Sequence, residues 1–124
     1  MTPAPQESDS GKVSCIDNFL IAALPSNLDQ TTIAINESHV LRTLSQNKKL
    51  SSVILDFSSV EITDSADLDR LQMMLLAIKL LGRQIVFCGI NPGLAGLIVN
   101  SCVNLHHDAI SLDIGEAIRP TSHD

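Results

Sequence analysis

The chain has 124 residues, enough for one domain with its own hydrophobic core and too few for two. Eight lysine and arginine residues stand against fourteen aspartate and glutamate residues, which gives a formal net charge of −6. This acidic balance argues against a nucleic-acid or anionic-membrane partner, because both require clustered basic side chains. Although 44 % of the residues are hydrophobic, no apolar run reaches the roughly 18 residues of a membrane span, so direct insertion is not expected.

The first residues and the cysteines predict a cytoplasmic protein. Residues 1–12 have neither the basic nor the apolar stretch of a secretion signal, and they contain few apolar side chains to offset the entropy of ordering. We therefore expect a disordered tail there. Cys15, Cys88 and Cys102 are odd in number and lack the spacing of a zinc site, so we interpret them as reduced thiols.

The folded part is expected to begin with a β-hairpin. Residues 13–16 and 19–24 are two apolar runs joined by Asp17 and Asn18, a residue pair typical of turns, and Pro25 closes the second strand. A helix over residues 28–46 follows, with Asp29 as its N-cap. Its apolar positions share one face and are Ile33, Val40, Leu41 and Leu44.

A strand–helix–strand unit occupies the middle of the chain. Residues 53–55 and 85–87 are continuous apolar runs, which are typical of parallel strands covered on both faces. Between them lies a helix that Gly82 ends, where a left-handed residue is wanted. Its apolar residues recur at helical spacing and are Leu68, Leu71, Met74, Leu75, Ile78 and Leu81.

The remaining residues predict one more helix, a last strand and a short final helix. Asn91 is the expected N-cap of the first, with Pro92 at its first position; its inward-facing residues are Leu94, Leu97, Ile98 and Cys102. Residues 110–114 are predicted as a strand and residues 116–118 as a short helix. The sequence thus predicts a small α/β fold over residues 13–119, with a mixed sheet of about five strands, interleaved helices and a disordered tail over residues 120–124.

Four segments carry a resemblance to a known family. They are residues 53–58 (VILDFS), 62–65 (ITDS), 80–82 (LLG) and 89–92 (GINP). In this order they resemble the signature of STAS domains, the family of anti-sigma-factor antagonists. Within that family the chain most resembles single-domain stressosome scaffold proteins of the RsbS type, and the similarity runs from about Asn18 to Ile118.

The resemblance implies that Ser65 is phosphorylated by a serine/threonine switch kinase of the anti-sigma type. A phosphoserine adds about −1.5 to −2 charges, which changes a contact surface without unfolding the helix beneath it. Spacing alone favours another reading, in which Ser65 or Asp64 is only an N-cap worth about 1 kcal/mol. The acidic residues Asp64, Asp67 and Asp69 surround the serine with negative charge, which would oppose a phosphate.

Partner contacts are predicted around the serine and farther along its helix. The expected contact residues are Asp64, Ala66, Asp67, Met73 and Leu76. The middle of this helix lacks a polar face, so its outer side is covered either by a homotypic or heterotypic STAS interface or by the helix after Pro92. Cys88 stands where stressosome relatives with a second phosphorylation site carry threonine, so any second site would lie on a partner chain.

The function expected from the resemblance is that of a non-enzymatic scaffold in a bacterial stress-response complex. It would assemble with STAS paralogues, associate with itself, sequester the kinase and release it once Ser65 is phosphorylated. The alternatives are a free anti-anti-sigma factor that binds its kinase one-to-one, an accessory STAS subunit docked on a membrane transporter, and a small enzyme using the aspartate cluster. No catalytic residue or cofactor is predicted, and no metal site, because adjacent His106 and His107 would point to opposite faces of a strand.

Overall fold

The computed structural model describes residues 12–61, 65–100 and 108–118. These residues form five strands and four helices. In chain order the elements are β1 Lys12–Ile16, β2 Phe19–Ala23, α1 Gln30–Gln46, β3 Ser52–Asp56, α2 Ser65–Leu80, β4 Gln84–Cys88, α3 Pro92–Asn100, β5 Ala109–Ser111 and α4 Ile114–Ile118. The two predicted tails lie outside the described residues, except that Lys12 already belongs to β1.

The strands form one sheet in the order β1-β2-β3-β4-β5. β1 is antiparallel to β2, and every other neighbouring pair is parallel. The predicted mixed five-stranded sheet with interleaved helices is therefore confirmed. Since α1, α2 and α3 each connect two parallel neighbours, all three begin at the carboxyl-terminal edge of the sheet and run back toward its amino-terminal edge.

The predicted hairpin turn and helix caps are also present. Asp17 has φ 53°, a left-handed conformation that aspartate tolerates better than most residues. Asp29 caps α1 by accepting a hydrogen bond from the backbone N–H of Thr32 at 2.8 Å, and this bond lowers the pKa of its carboxyl group. Asn91 caps α3 in the same way, with its Oδ1 2.8 Å from the N–H of Leu94.

The main hydrophobic core lies between the sheet and the helices α1, α2 and α3. Val53 and Leu55 of β3 point into it, and Phe57 meets Phe87 there edge to face, with ring centroids 4.9 Å apart. A second, smaller cluster lies on the opposite face of the sheet, where α4 covers Ile54 and Cys88. β3 is thus buried on both faces, as its continuous apolar sequence predicts.

The end of the chain differs from the sequence expectation. The last strand stops at Ser111, and Ile114 begins α4 instead of continuing the strand. The cause is a pair of side-chain bonds at the start of α4: the N-cap Asp113 accepts through Oδ1 from the N–H of Glu116 at 2.9 Å, and Glu116 Oε1 accepts from the N–H of Leu112, one residue before the cap, at 2.6 Å. These two bonds satisfy backbone donors that the strand would otherwise have to pair.

The end of α2 differs from the sequence prediction at one residue of the apolar face, Leu81. Leu81 lies beyond the helix and is 38 % exposed, whereas the other predicted residues of that face are buried. Gly82 has φ 80° and its N–H donates to the carbonyl of Lys79, so the predicted glycine terminator is confirmed. Arg83 then donates to the carbonyls of Leu44 and Leu50, which joins the end of α2 to the end of α1.

Gly89 provides a test of backbone packing at the carboxyl-terminal edge. It has φ 74°, and a Cβ placed there would lie 2.5 Å from Ser58 Oγ and 2.7 Å from Asp56 Oδ1. We expect Gly89→Ala to lower the free energy of unfolding by more than the roughly 1–2 kcal/mol that a left-handed alanine costs alone. Gly82→Ala is the matched control, because its φ is 80° and nothing lies within 4 Å of the added Cβ. Urea denaturation measures both, and equal losses would contradict the steric argument.

The two described cysteines are expected to react differently. Burial, and then the carboxylates of Asp56 and Asp113, raise the pKa of the Cys88 thiol to about 12 from an ordinary value of 9.0. Cys15 is exposed. At pH 8 we expect iodoacetamide to alkylate Cys15 at least about tenfold faster than Cys88, since the thiolate is the reactive form.

The same raised pKa predicts a pH dependence. The folded state keeps the Cys88 proton while the unfolded state loses it above about pH 9, so stability falls between about pH 9 and pH 12. Cys88→Ala should therefore remove part of this loss of stability at alkaline pH.

In the alkylation experiment, peptide mapping by mass spectrometry measures each cysteine separately. Equal alkylation rates in the folded protein would refute the placement of Cys88.

Candidate functional site

Ser65 is the first residue of α2 and lies at the carboxyl-terminal edge of the sheet. The first backbone N–H groups of a helix lack partners within the helix and carry a partial positive charge, so this position favours an anion. Asp64 lies outside the described residues. Ala66 is exposed, as the predicted contact with a partner requires.

Asp67 lies on the inner side of the first turn of α2. It is 9 % exposed, and its Oδ1 accepts a hydrogen bond from Arg70 Nη2 at 2.9 Å. The same guanidinium donates through Nε to the carbonyl of Leu28 at 3.1 Å, which ties α2 to the segment before α1. Asp67 therefore offers a partner little surface, and its charge is paired.

This pairing changes the electrostatics expected around Ser65. The sequence places three aspartates near the serine, and the structure pairs Asp67 with Arg70 while Asp69 stays exposed. Fewer unpaired negative charges oppose a phosphate than the sequence analysis expected. Arg70 was missed there, although an aspartate three residues before an arginine on a helix is a recognisable ion-pair spacing.

The outer side of α2 carries an exposed apolar stripe, which we call the α2 stripe, formed by Met73, Leu76 and Leu80. Their exposed fractions are 64 %, 36 % and 87 %. The opposite side packs on the sheet through Leu68, Leu71, Met74, Leu75 and Ile78. The sequence left two possible covers for this outer side. The helix that begins at Pro92, α3, does not cover Met73 and Leu76. At 100° per residue, the backbone position of Ser65 lies on the same side of the helix as the α2 stripe.

Cys88 stands where some relatives are expected to carry a second phosphorylatable residue. The structure buries it beneath α4, on the face of the sheet opposite α2. Its neighbours at the strand ends are hydrogen-bonded among themselves, with Asp56 Oδ1 accepting from both the N–H and the hydroxyl of Ser58. The Cys88 side chain is therefore inaccessible to a partner in the folded domain.

Residues 12–61, 65–100 and 108–118 contain no group of three or more histidine, cysteine, aspartate or glutamate side chains placed to hold a metal ion. Within the same ranges, none of the helices has the length and apolar character needed to cross a membrane. His106 and His107 lie outside the described residues.

The fold and sequence were compared with known proteins. A search of curated proteins finds no match to the sequence. Among solved structures, RsbS from Moorella thermoacetica, in a serine-to-glutamate variant, aligns with TM-score 0.70 and 22 % identity over 86 % of this chain and 89 % of that chain. A chain of the stressosome, described as a signal integration and transduction hub, aligns with TM-score 0.67 and 19 % identity over 85 % and 90 %. The anti-sigma factor antagonist SpoIIAA in its unphosphorylated form aligns with TM-score 0.64 and 11 % identity over 87 % and 94 %.

At these identities the structural similarities establish the fold. The family is established independently, because the sequence model of the STAS domain matches residues 12–117. That range includes every strand of the sheet and all of α4 except Ile118. The predicted fold is thereby confirmed, and the chain belongs to the STAS domain family.

Proposed function

We propose that this protein is a non-enzymatic signalling scaffold that assembles with STAS paralogues, holds a serine/threonine switch kinase in the cytoplasm, and releases it when Ser65 is phosphorylated. The observation that carries the proposal is that Ser65 and the α2 stripe lie on one side of a single helix, with the exposed Asp69 between them. A phosphate at the start of this helix would place charge beside an apolar contact surface and change which partner that surface holds.

The α2 stripe supports assembly with other chains. Soluble monomers rarely leave a contiguous row of large apolar side chains exposed, and methionine adapts to partners of different shape. Met73 lies about 12 Å along the helix axis from Ser65, at 1.5 Å per residue, so one partner surface can contact both. The proposed partners are STAS domains of paralogues and of other copies of this chain, and RsbS and stressosome structures are among its structural neighbours.

A free anti-anti-sigma factor is the second candidate, supported by the similarity to SpoIIAA. Such a protein would bind its kinase one-to-one and would not need to assemble. The exposed α2 stripe favours the scaffold, since a one-to-one antagonist needs a single contact surface around the serine. The mass of the assembled species distinguishes the two candidates.

Phosphorylation at Ser65 is the first expectation to test. Incubation with a switch kinase of the anti-sigma type from the same genome, ATP and Mg²⁺ should add one phosphate to the protein. Ser65→Ala should take up none, whereas Ser59→Ala, which changes an exposed serine after β3, should still take up one. Intact-mass spectrometry provides the readout. A phosphorylated Ser65→Ala variant, or an unmodified wild type with a kinase proven active, would contradict the proposal.

The assembly surface is tested by adding charge to the α2 stripe. Burying a lysine ammonium in an apolar interface is costly, so Met73→Lys and Leu76→Lys should each reduce the fraction assembled with STAS paralogues at least about tenfold. Ile35→Lys is the matched control, because Ile35 is 51 % exposed on α1. Light scattering coupled to size-exclusion chromatography measures the mass. If all three variants assemble like the wild type, α2 is not the interface.

A further inference from the structure

A cavity lies on the face of the sheet opposite the main core. α4 covers the carboxyl-terminal half of this face, where it contacts Ile54 and Cys88. The amino-terminal half is not covered by α4, and a half-open cavity of about 690 Å³ lies there beneath the last turn of the helix. This volume is within the range of small-molecule sites, roughly 300–1,000 Å³. We call it the α4 cavity.

Ser52, a largely buried residue, presents its hydroxyl at the floor of the α4 cavity. It is 6 % exposed and lies between Phe19 of β2 and Gln84 of β4 in the register of the sheet. Within the part of the chain that the structure describes, its hydroxyl has no hydrogen-bond partner. Because this hydroxyl is accessible from the cavity, a molecule bound there can form a hydrogen bond with it.

The charges of the lining select the kind of molecule. Its ionisable side chains are the carboxylates of Asp17 and Glu116, and neither lysine nor arginine is among the lining residues that the structure describes. Glu116 Oε1 accepts from the N–H of Leu112, which holds this carboxylate in place at the wall. Phe19 and Val86 provide apolar surface between the polar groups. Such a lining repels anions and attracts ammonium groups.

We propose that the α4 cavity binds a small aliphatic amine. Its ammonium groups pair with the carboxylates of Asp17 and Glu116, its methylene chain lies over Phe19 and Val86, and the Ser52 hydroxyl accepts an ammonium hydrogen bond. The cavity opens at the amino-terminal edge of the sheet, whereas Ser65 lies at the carboxyl-terminal edge. The inference is therefore independent of the proposed scaffold function.

The test uses three probes of equal chain length and different charge. The full-length protein is titrated with 1,6-diaminohexane, 1,6-hexanediol and adipate, and amide chemical shifts are followed by NMR. The diamine should give saturable shifts at Phe19, Ser52, Gln84 and Ala117, while the diol and the dicarboxylate should not. The absence of saturable shifts with the diamine up to 20 mM, on the order of the weakest meaningful affinity, overturns the proposal.

Variants distinguish a specific binding site from nonspecific attraction of the diamine to an acidic protein. Glu116→Gln keeps an acceptor for the N–H of Leu112 but removes the charge, so it should raise the Kd of the diamine at least about fivefold. Ser52→Val should weaken binding comparably through the hydroxyl. Asp69→Asn removes one exposed charge from α2 and should leave the Kd unchanged.

Three results would overturn the inference. The first is that Asp69→Asn weakens binding as much as Glu116→Gln, which indicates net-charge attraction. The second is that the diol binds as well as the diamine. The third is that the same amides shift with protein concentration alone, which indicates a second copy of the chain in the cavity. Thermal melts confirm that each variant is folded, and Glu116→Gln alone decides the test if Ser52→Val does not fold.

Discussion

The burial of β3 on both faces is the constraint on which the rest of this domain depends. Val53 and Leu55 point to one side and Ile54 to the other, and all three are fully buried. A strand of this kind is stable only when both faces of the sheet are covered. The helices α1, α2 and α3 cover one face, and the short α4 provides partial cover on the other. Both surfaces proposed here follow from this arrangement.

The α2 stripe can be understood from what the sheet requires of α2, which covers one of its two faces together with α1 and α3. The inner side of α2 must match an apolar sheet, and Leu71 and Leu75 do so by being fully buried. The outer side has no such demand within the domain, yet Met73 and Leu80 are apolar and exposed there. A residue pattern that the fold itself does not require is best explained by contact with another chain. Ser65 starts the same helix, so one element joins the predicted modification to the predicted contact.

The sequence predicted those features that rest on short-range chemistry. The turn at Asp17, the caps Asp29 and Asn91, and the glycine terminator Gly82 all depend on neighbours within a few residues, and all are present. The start of α4 was predicted wrongly because Asp113 was not recognised as its N-cap. The cap accepts from the N–H three residues later, so its spacing was available in the sequence.

The features that the sequence could not supply are those that need distant elements to meet. The α4 cavity requires α4 to fold back over the starts of several strands. The hydrophobic periodicity of the sequence does not predict this placement. Likewise, Arg70 was only one basic residue among eight until the fold brought the carbonyl of Leu28 to its guanidinium. Helical spacing located α2 and its inner face, but it could not say whether a neighbouring helix would cover the outer side with Met73 and Leu76.

Charged side chains are distributed unevenly along the strand axis of the domain. Asp29, Asp56 and Asp69 lie at the edge where α1, α2 and α3 begin, whereas the opposite edge carries Lys48 and Lys49 as well as Asp17 and Glu116. An approaching molecule therefore experiences an oriented field before any contact forms. Because mobile ions screen such a field over about 8 Å at physiological salt, it acts on the orientation and rate of encounter more than on the lifetime of a complex.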